Sequence, residues 1–250
     1  MTQARPPGDL PGAYLRRISL VARDERTIEA GLEDDFHRFG LTLTHDGERV
    51  VTCEGRAERF PWTECPGAIE PLRALAGVPL SARGTAIAEY VAPQANCTHL
   101  FDLAGLAVAL AARGDTRREY LAVVPDRDAE WRTRAWLECD GVEVLAWDVA
   151  GIEVEGPDPF TGIRLRGGFQ AWVTASLSPA DAELALVLRR ACEISMGRHT
   201  PWDDLPAAID VGEFMLGVCH TFQPGRAEVA LRVKDSVRDF SDDPSKLLRS

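Results

Sequence analysis

The stretch Phe39-Gly-Leu-Thr-Leu-Thr-His-Asp-Gly-Glu-Arg-Val-Val-Thr52 decides the fold class. Apolar and polar residues alternate on both sides of Asp46-Gly47. An Asp-Gly pair between two alternating runs is the strongest short-range hairpin signal, because these residues accept the positive φ that a tight turn requires. Tyr14 to Ala22 reads as a further strand upstream. Downstream, Pro66 opens a stretch in which Ala68, Ile69, Leu72 and Leu75 recur at helical spacing up to Gly77. A second helix fits Ser81 to Tyr90. Asn96 is placed to cap a third, from Cys97 through Leu100, Leu103, Leu106, Val108 and Leu110 to a stop at Gly114.

The second half repeats this order. Tyr120-Leu-Ala-Val-Val reads as a strand, Trp131 to Ala150 as a pair turning at Asp140-Gly141, and Ile163 to Ser176 as more strand. Ser178-Pro179 starts a helix running to about Gly197, and Thr200-Pro201 opens another that reaches toward Cys219-His220. Val229, Leu231 and Val233 alternate as one late strand before a loosely held end. The expected fold is α+β, with antiparallel hairpins packed against helices. It is organised as residues 1–115, which carry the candidate site, and residues 116–250, a second α+β half whose grammar is that of a diverged repeat.

Composition narrows the function. The 250 residues are 45% hydrophobic and 27% charged, ample for a buried core. Thirty-nine acidic against 28 basic residues give a net charge of -11, which opposes phosphate backbones, and the basic residues form only short groups such as Arg16-Arg17 and Arg189-Arg190. Nucleic acid is therefore not an expected partner. No run of about 18 apolar residues and no signal-peptide core occurs, so the expectation is a cytoplasmic protein with no membrane partner, acting on an unknown small molecule or protein. Six cysteines are too sparse for a disulfide scaffold and are expected as free thiols or metal ligands.

The chemistry-bearing residues are dispersed. Cys65 lies between a strand and a helix and Cys97 opens a helix, positions where backbone amides favour a thiolate. On a strand Asp35 and His37 would share one face, and His99 lies two residues beyond Cys97. Asp35, His37, Cys65, Cys97 and His99 are the candidate metal ligands, with zinc or iron the expected ion; no CxxC or HExxH spacing occurs. The same residues allow another chemistry: Cys97 as nucleophile on a small acyl or thioester substrate, with His220 or His37 as base and Asp102 orienting it. A third class is a non-catalytic binding protein. Free cysteine and histidine are also common core residues, and that reading is preferred for Cys53, Cys139 and Cys192 and, as packing at a helix end, for Cys219-His220, while His45 beside its turn is expected in solvent.

Asp34-Asp-Phe-His-Arg-Phe39, the Asp46-Gly47 hairpin, Pro61-Trp-Thr-Glu-Cys-Pro-Gly-Ala68, Asn96-Cys-Thr-His-Leu100, Cys219-His220 and Ser236-Val-Arg-Asp-Phe240 together resemble the uncharacterised bacterial family of domain of unknown function 2889. Over residues 33–113 there is a more distant resemblance to iron–sulfur scaffold proteins of the NifU/IscU type. It rests on a strand-borne ligand before an Asp-Gly hairpin, a cysteine after the last strand and a cysteine opening a later helix. That resemblance implies a similar fold for the N-terminal part and puts Asp35 or His37 in the first ligand position, Cys65 in the second and Cys97 in the third. Where the scaffold proteins have cysteine followed by Gly-Asp, this chain has Asp35-Phe36-His37. Two thiolates with imidazole or carboxylate suit a single zinc better than assembly of a cluster.

Overall fold

The computed structural model describes residues 12–249. It is α+β, with an eight-stranded sheet in the order β4-β3-β2-β1-β5-β6-β7-β8. The strands are β1 (Ala13–Ala22), β2 (Thr27–Asp34), β3 (Arg38–His45), β4 (Val50–Arg59), β5 (Arg117–Pro125), β6 (Arg132–Cys139), β7 (Val142–Ala150) and β8 (Glu153–Gly156). The α-helices are α1 (Thr98–Arg113), α2 (Phe169–Ser176) and α3 (Pro179–Ser195). No helix among the described residues is long and apolar enough to cross a membrane.

Contacts divide the chain into two units. One gathers residues 18–118 and 202–238; the other gathers residues 12–17, 119–201 and 239–249. The first unit holds the candidate site. Its frame is two antiparallel hairpins, with β2 on β3 (Leu32↔Phe39, Ala30↔Leu41) and β3 on β4 (Leu43↔Cys53). The expected turn is present: the Asp46 carboxylate accepts the backbone N–H groups of Glu48 and Arg49, and Gly47 takes φ +104°. Period-2 alternation sends Phe39, Leu41 and Leu43 into the core, where α1 packs on β2 and β3. Leu100, Leu103 and Leu110 of α1 are wholly buried, each contributing about 1.5–3 kcal/mol of hydrophobic stabilisation. α1 stops at Gly114 in the left-handed conformation, with the Gly114 and Asp115 N–H groups closing on Ala111 and Leu110 carbonyls.

The second unit repeats the arrangement with β5 on β6, β6 on β7 and β7 on β8, all antiparallel, and α3 against β6 and β7. Asp140 and Gly141, at φ +51° and +83°, make the predicted two-residue turn between β6 and β7. Ser178 caps α3 by accepting the Asp181 N–H.

Several expectations are corrected. Ile163 to Ser176 is not strand: Gly167 and Gly168 reverse the chain at φ +70° and +88°, and α2 follows, burying Phe169 and Val173 at helical spacing. The helix from Thr200 toward Cys219 is replaced by short 3₁₀ turns at Trp202–Asp204, Ala208–Val211 and Glu213–Met215, because Pro206 and the left-handed Gly212 and Gly217 interrupt it. The late strand is reduced to isolated bridges, Trp62↔Arg232 and Ala207↔Leu231. Cys65–Leu75 and Gly84–Glu89 are 3₁₀ rather than α-helical; in the first, an α-helix would drive the Pro71 ring into the carbonyl of Gly67 four residues back. β2 escapes the sequence reading altogether.

Candidate metal centre

β2 ends at Asp34 and β3 begins at Arg38, so Asp35, Phe36 and His37 form the turn between them rather than a strand face. Asp34 organises that turn. Its Oδ1 accepts the Phe36 and His37 backbone N–H groups, both at 2.8 Å, and lies 3.0 Å from His37 Nδ1. An aspartate at the first position of a turn bonding backbone two and three residues on is the usual role of Asp in turns. Arg59 of β4 holds the turn from outside, donating through Nη1 to the carbonyls of Asp35 and Ser236 and through Nη2 to the carbonyls of Asp34 and His37 and to Glu33 Oε1. Phe36 anchors it inward on Trp202, ring centroids 5.7 Å apart.

The turn thereby delivers His37 to the first turn of α1. The His37 and His99 rings lie 3.9 Å apart between centroids, and both stack against Phe39. Asp34, His37 and His99 each offer a ligand atom within 4.8 Å of the others, and all three residues are buried. This is the cluster of potential metal ligands among the described residues.

The sequence-derived set maps onto it unevenly. His37 and His99 are brought together as members. Asp35 is not: the strand period selected it, whereas the turn places Asp34 in the cluster. Asp35 is fully buried, its carbonyl taken by Arg59 and the Arg238 N–H. Cys97 reaches the cluster through His99, its Sγ lying 3.6 Å from His99 Nδ1. Cys65 lies outside the cluster, near enough to Cys97 and Cys219 for the thiols to act on one another, and accepts a hydrogen bond from Thr221 Oγ1 at 3.4 Å. Cys219 and His220 do not end a helix; they sit in a loop whose His220 N–H bonds the Asn96 carbonyl and whose ring Nδ1 faces the Ala95 carbonyl at 3.2 Å. His220 Nε2 comes so close to Gly67 that a Cβ there would lie 2.8 Å away, so the glycine makes room for the ring. Asp102 is half-buried on α1, outside the cluster. His45, expected in solvent, is buried.

The thiols are protonated by their surroundings. Burial pushes Cys65 up to about 12 and raises Cys97 further, outweighing the amides of His99 and Leu100 at the start of α1. The expectation that the helix start leaves Cys97 as a thiolate is thus corrected: desolvation wins.

Asp34 is the residue that the sequence reading missed. Its signal was the Asp-x-x-His spacing of a turn rather than the alternation of a strand.

Residues 15–113 match the family described as Protein of unknown function (DUF2889). The match includes Asp34, His37, Cys65, Cys97 and His99, while Cys219, His220 and the Ser236–Phe240 motif fall outside it. No curated protein matches the chain.

Proposed function

We propose that Asp34, His37 and His99 hold one zinc or iron(II) ion, and that the protein is a cytoplasmic metal-binding protein acting on a small molecule or protein. The observation that carries this reading is the convergence of one carboxylate and two imidazoles within 4.8 Å in a buried site. Asp34 Oδ1 already accepts the Phe36 and His37 N–H groups and faces His37 Nδ1, and a divalent ion where the three groups meet would add a full positive charge to that pairing. Two imidazoles with one carboxylate suit zinc and non-haem iron(II), and three protein donors leave a coordination position for water or substrate. With the ion on Nε2 of His99, Nδ1 stays against the Cys97 thiol. Cys97 then fixes the orientation of a ligand instead of being one.

The likeness to NifU/IscU scaffold proteins would make ligands of Cys65 and Cys97, and the donor set proposed here uses neither. The donor set is too poor in sulfur for cluster assembly.

Elemental analysis of protein purified without chelator tests the reading. Wild type and Asp35→Asn retain near-stoichiometric zinc or iron, whereas Asp34→Asn and His99→Ala lose it. Equal metal content in all four, or none in wild type, contradicts the assignment.

A further inference from the structure

The loop that carries Cys219 touches the surroundings of both Cys65 and Cys97. A turn runs from Cys219 to Phe222, closed by the Phe222 N–H on the Cys219 carbonyl and by Gln223 Nε2 on the same oxygen, both at 3.1 Å. Thr221 of this turn donates to Cys65 Sγ, and the His220 N–H donates to the Asn96 carbonyl at 2.9 Å. Cys219 and Cys97 are the residues joined to the two ends of that last bond, Cys219 to the donor nitrogen and Cys97 to the acceptor carbonyl carbon. Standard backbone dimensions then hold their α-carbons within about 8 Å of each other, close to the roughly 4.4–6.8 Å that a disulfide spans. The Cys97 and Cys65 thiols each feel Cys219 ahead of any other charged neighbour, which puts the Cys219 sulfur on their side of the loop.

The six cysteines differ in access: five are buried and Cys219 is half-buried, so a small oxidant in solution meets Cys219 first. Its segment, residues 202–238, is held by 3₁₀ turns and isolated bridges rather than by a sheet or an α-helix, the kind of structure that shifts at low cost. We infer that Cys219 is a site of modification by peroxide, and that Cys97 resolves the product into a reversible disulfide. The Cys219 thiolate attacks one peroxide oxygen, the O–O bond breaks and hydroxide leaves, so that Cys219 becomes a sulfenic acid. The Cys97 sulfur then displaces the hydroxyl: the S–S bond forms, the S–O bond breaks, and the Cys97 proton leaves with the hydroxyl as water. Two electrons pass from the thiol pair to the peroxide. Cys97 is too buried to meet peroxide itself and reacts because the loop delivers the sulfenic acid beside it, where proximity makes up for a weak nucleophile. The bridge fastens the return segment to the start of α1.

The test treats reduced protein with a small excess of hydrogen peroxide, alkylates the remaining thiols in denaturant and maps the peptides without reductant. Wild type loses two of its six thiols and yields a Cys97–Cys219 linked peptide that dithiothreitol separates. Cys219→Ser leaves Cys97 fully alkylated at the same dose, and Cys97→Ser stops Cys219 at the sulfenic acid, which dimedone traps. A bridge from Cys219 to Cys65 overturns the proposal, as does a cross-link between two chains or Cys219 driven to sulfinic acid without any bridge. Peroxide that leaves all six thiols intact overturns it too. Should Cys97→Ser not fold, the wild-type map and Cys219→Ser decide.

Discussion

Gly105→Ala tests the packing that positions α1. A Cβ on Gly105 falls 2.7 Å from the Gly84 carbonyl oxygen and 3.2 Å from its carbon, and a Cβ on Gly84 falls 2.7 Å from the Gly105 oxygen. Two opposing terms decide the sign. Alanine in a helix interior is favoured over glycine by about 1 kcal/mol. Against this, the obstacle is backbone and cannot swing aside, so α1 and the 3₁₀ segment Gly84–Glu89 must separate by most of an ångström to restore ordinary contact at about 3.5 Å. Overpacking of this kind costs about 1–3 kcal/mol, and an immovable obstacle places the cost in the upper part of that range. The net expectation is a loss of about 1–2 kcal/mol, which in a chain of this length lowers the melting temperature by roughly 2–8 °C. Thermal unfolding followed by circular dichroism reads the result, with Ala112→Gly on the exposed side of α1 calibrating propensity by itself. A Gly105→Ala variant as stable as wild type, or more so, refutes the close crossing.

Asp34→Ala removes the acceptor for two buried N–H groups and is expected to cost about 2–4 kcal/mol, whereas Asp34→Asn keeps an oxygen for them and costs less, although both lose the metal; equal urea midpoints for the two variants contradict the turn. Burial, and then Arg226, hold the His220 imidazole below its usual 6.5. The unfolded chain therefore takes up the proton first, and stability is fully present above that value and falls as pH drops through it. Denaturation midpoints between pH 7 and pH 5 should show this decline in wild type and a flatter profile in His220→Gln. Iodoacetamide at neutral pH should label the half-buried Cys219 first and leave Cys53, Cys65 and Cys192, each pushed up to about 12 by burial, unmodified until the chain unfolds. Peptide mapping reads the order, and fast labelling of Cys97 instead would favour the nucleophile reading.

Local chemistry was legible in the sequence wherever a short stretch contains its own cause. Asp46-Gly47 and Asp140-Gly141 announce their turns, Gly114 its helix stop and Ser178 its cap, because each depends on φ preference or a side chain bonding nearby backbone. What was missed depends on partners far along the chain. β2 contains Gly31 and three acidic residues, a composition poor in strand formers, and is strand because β3 pairs with it. Residues 202–238 return to the unit of residues 18–118, so Thr221 and His220 meet Cys65 and Asn96 through contacts that no periodicity records. His37 and His99 were both singled out, yet their convergence needs α1 laid across β3 and the Asp34 turn, and the choice of Asp34 over Asp35 turns on treating that tetrapeptide as turn rather than strand.

X-ray absorption at the edge of the metal that copurifies with the protein distinguishes a nitrogen–oxygen site from one built on cysteine. A site made by Asp34, His37 and His99 gives a first shell of nitrogen and oxygen alone, at about 2.0–2.2 Å for zinc, with imidazole scattering beyond it. A sulfur shell at about 2.3 Å would assign the ion to the cysteines, and a protein that carries no metal would leave the three residues as a buried polar cluster; either result contradicts the account.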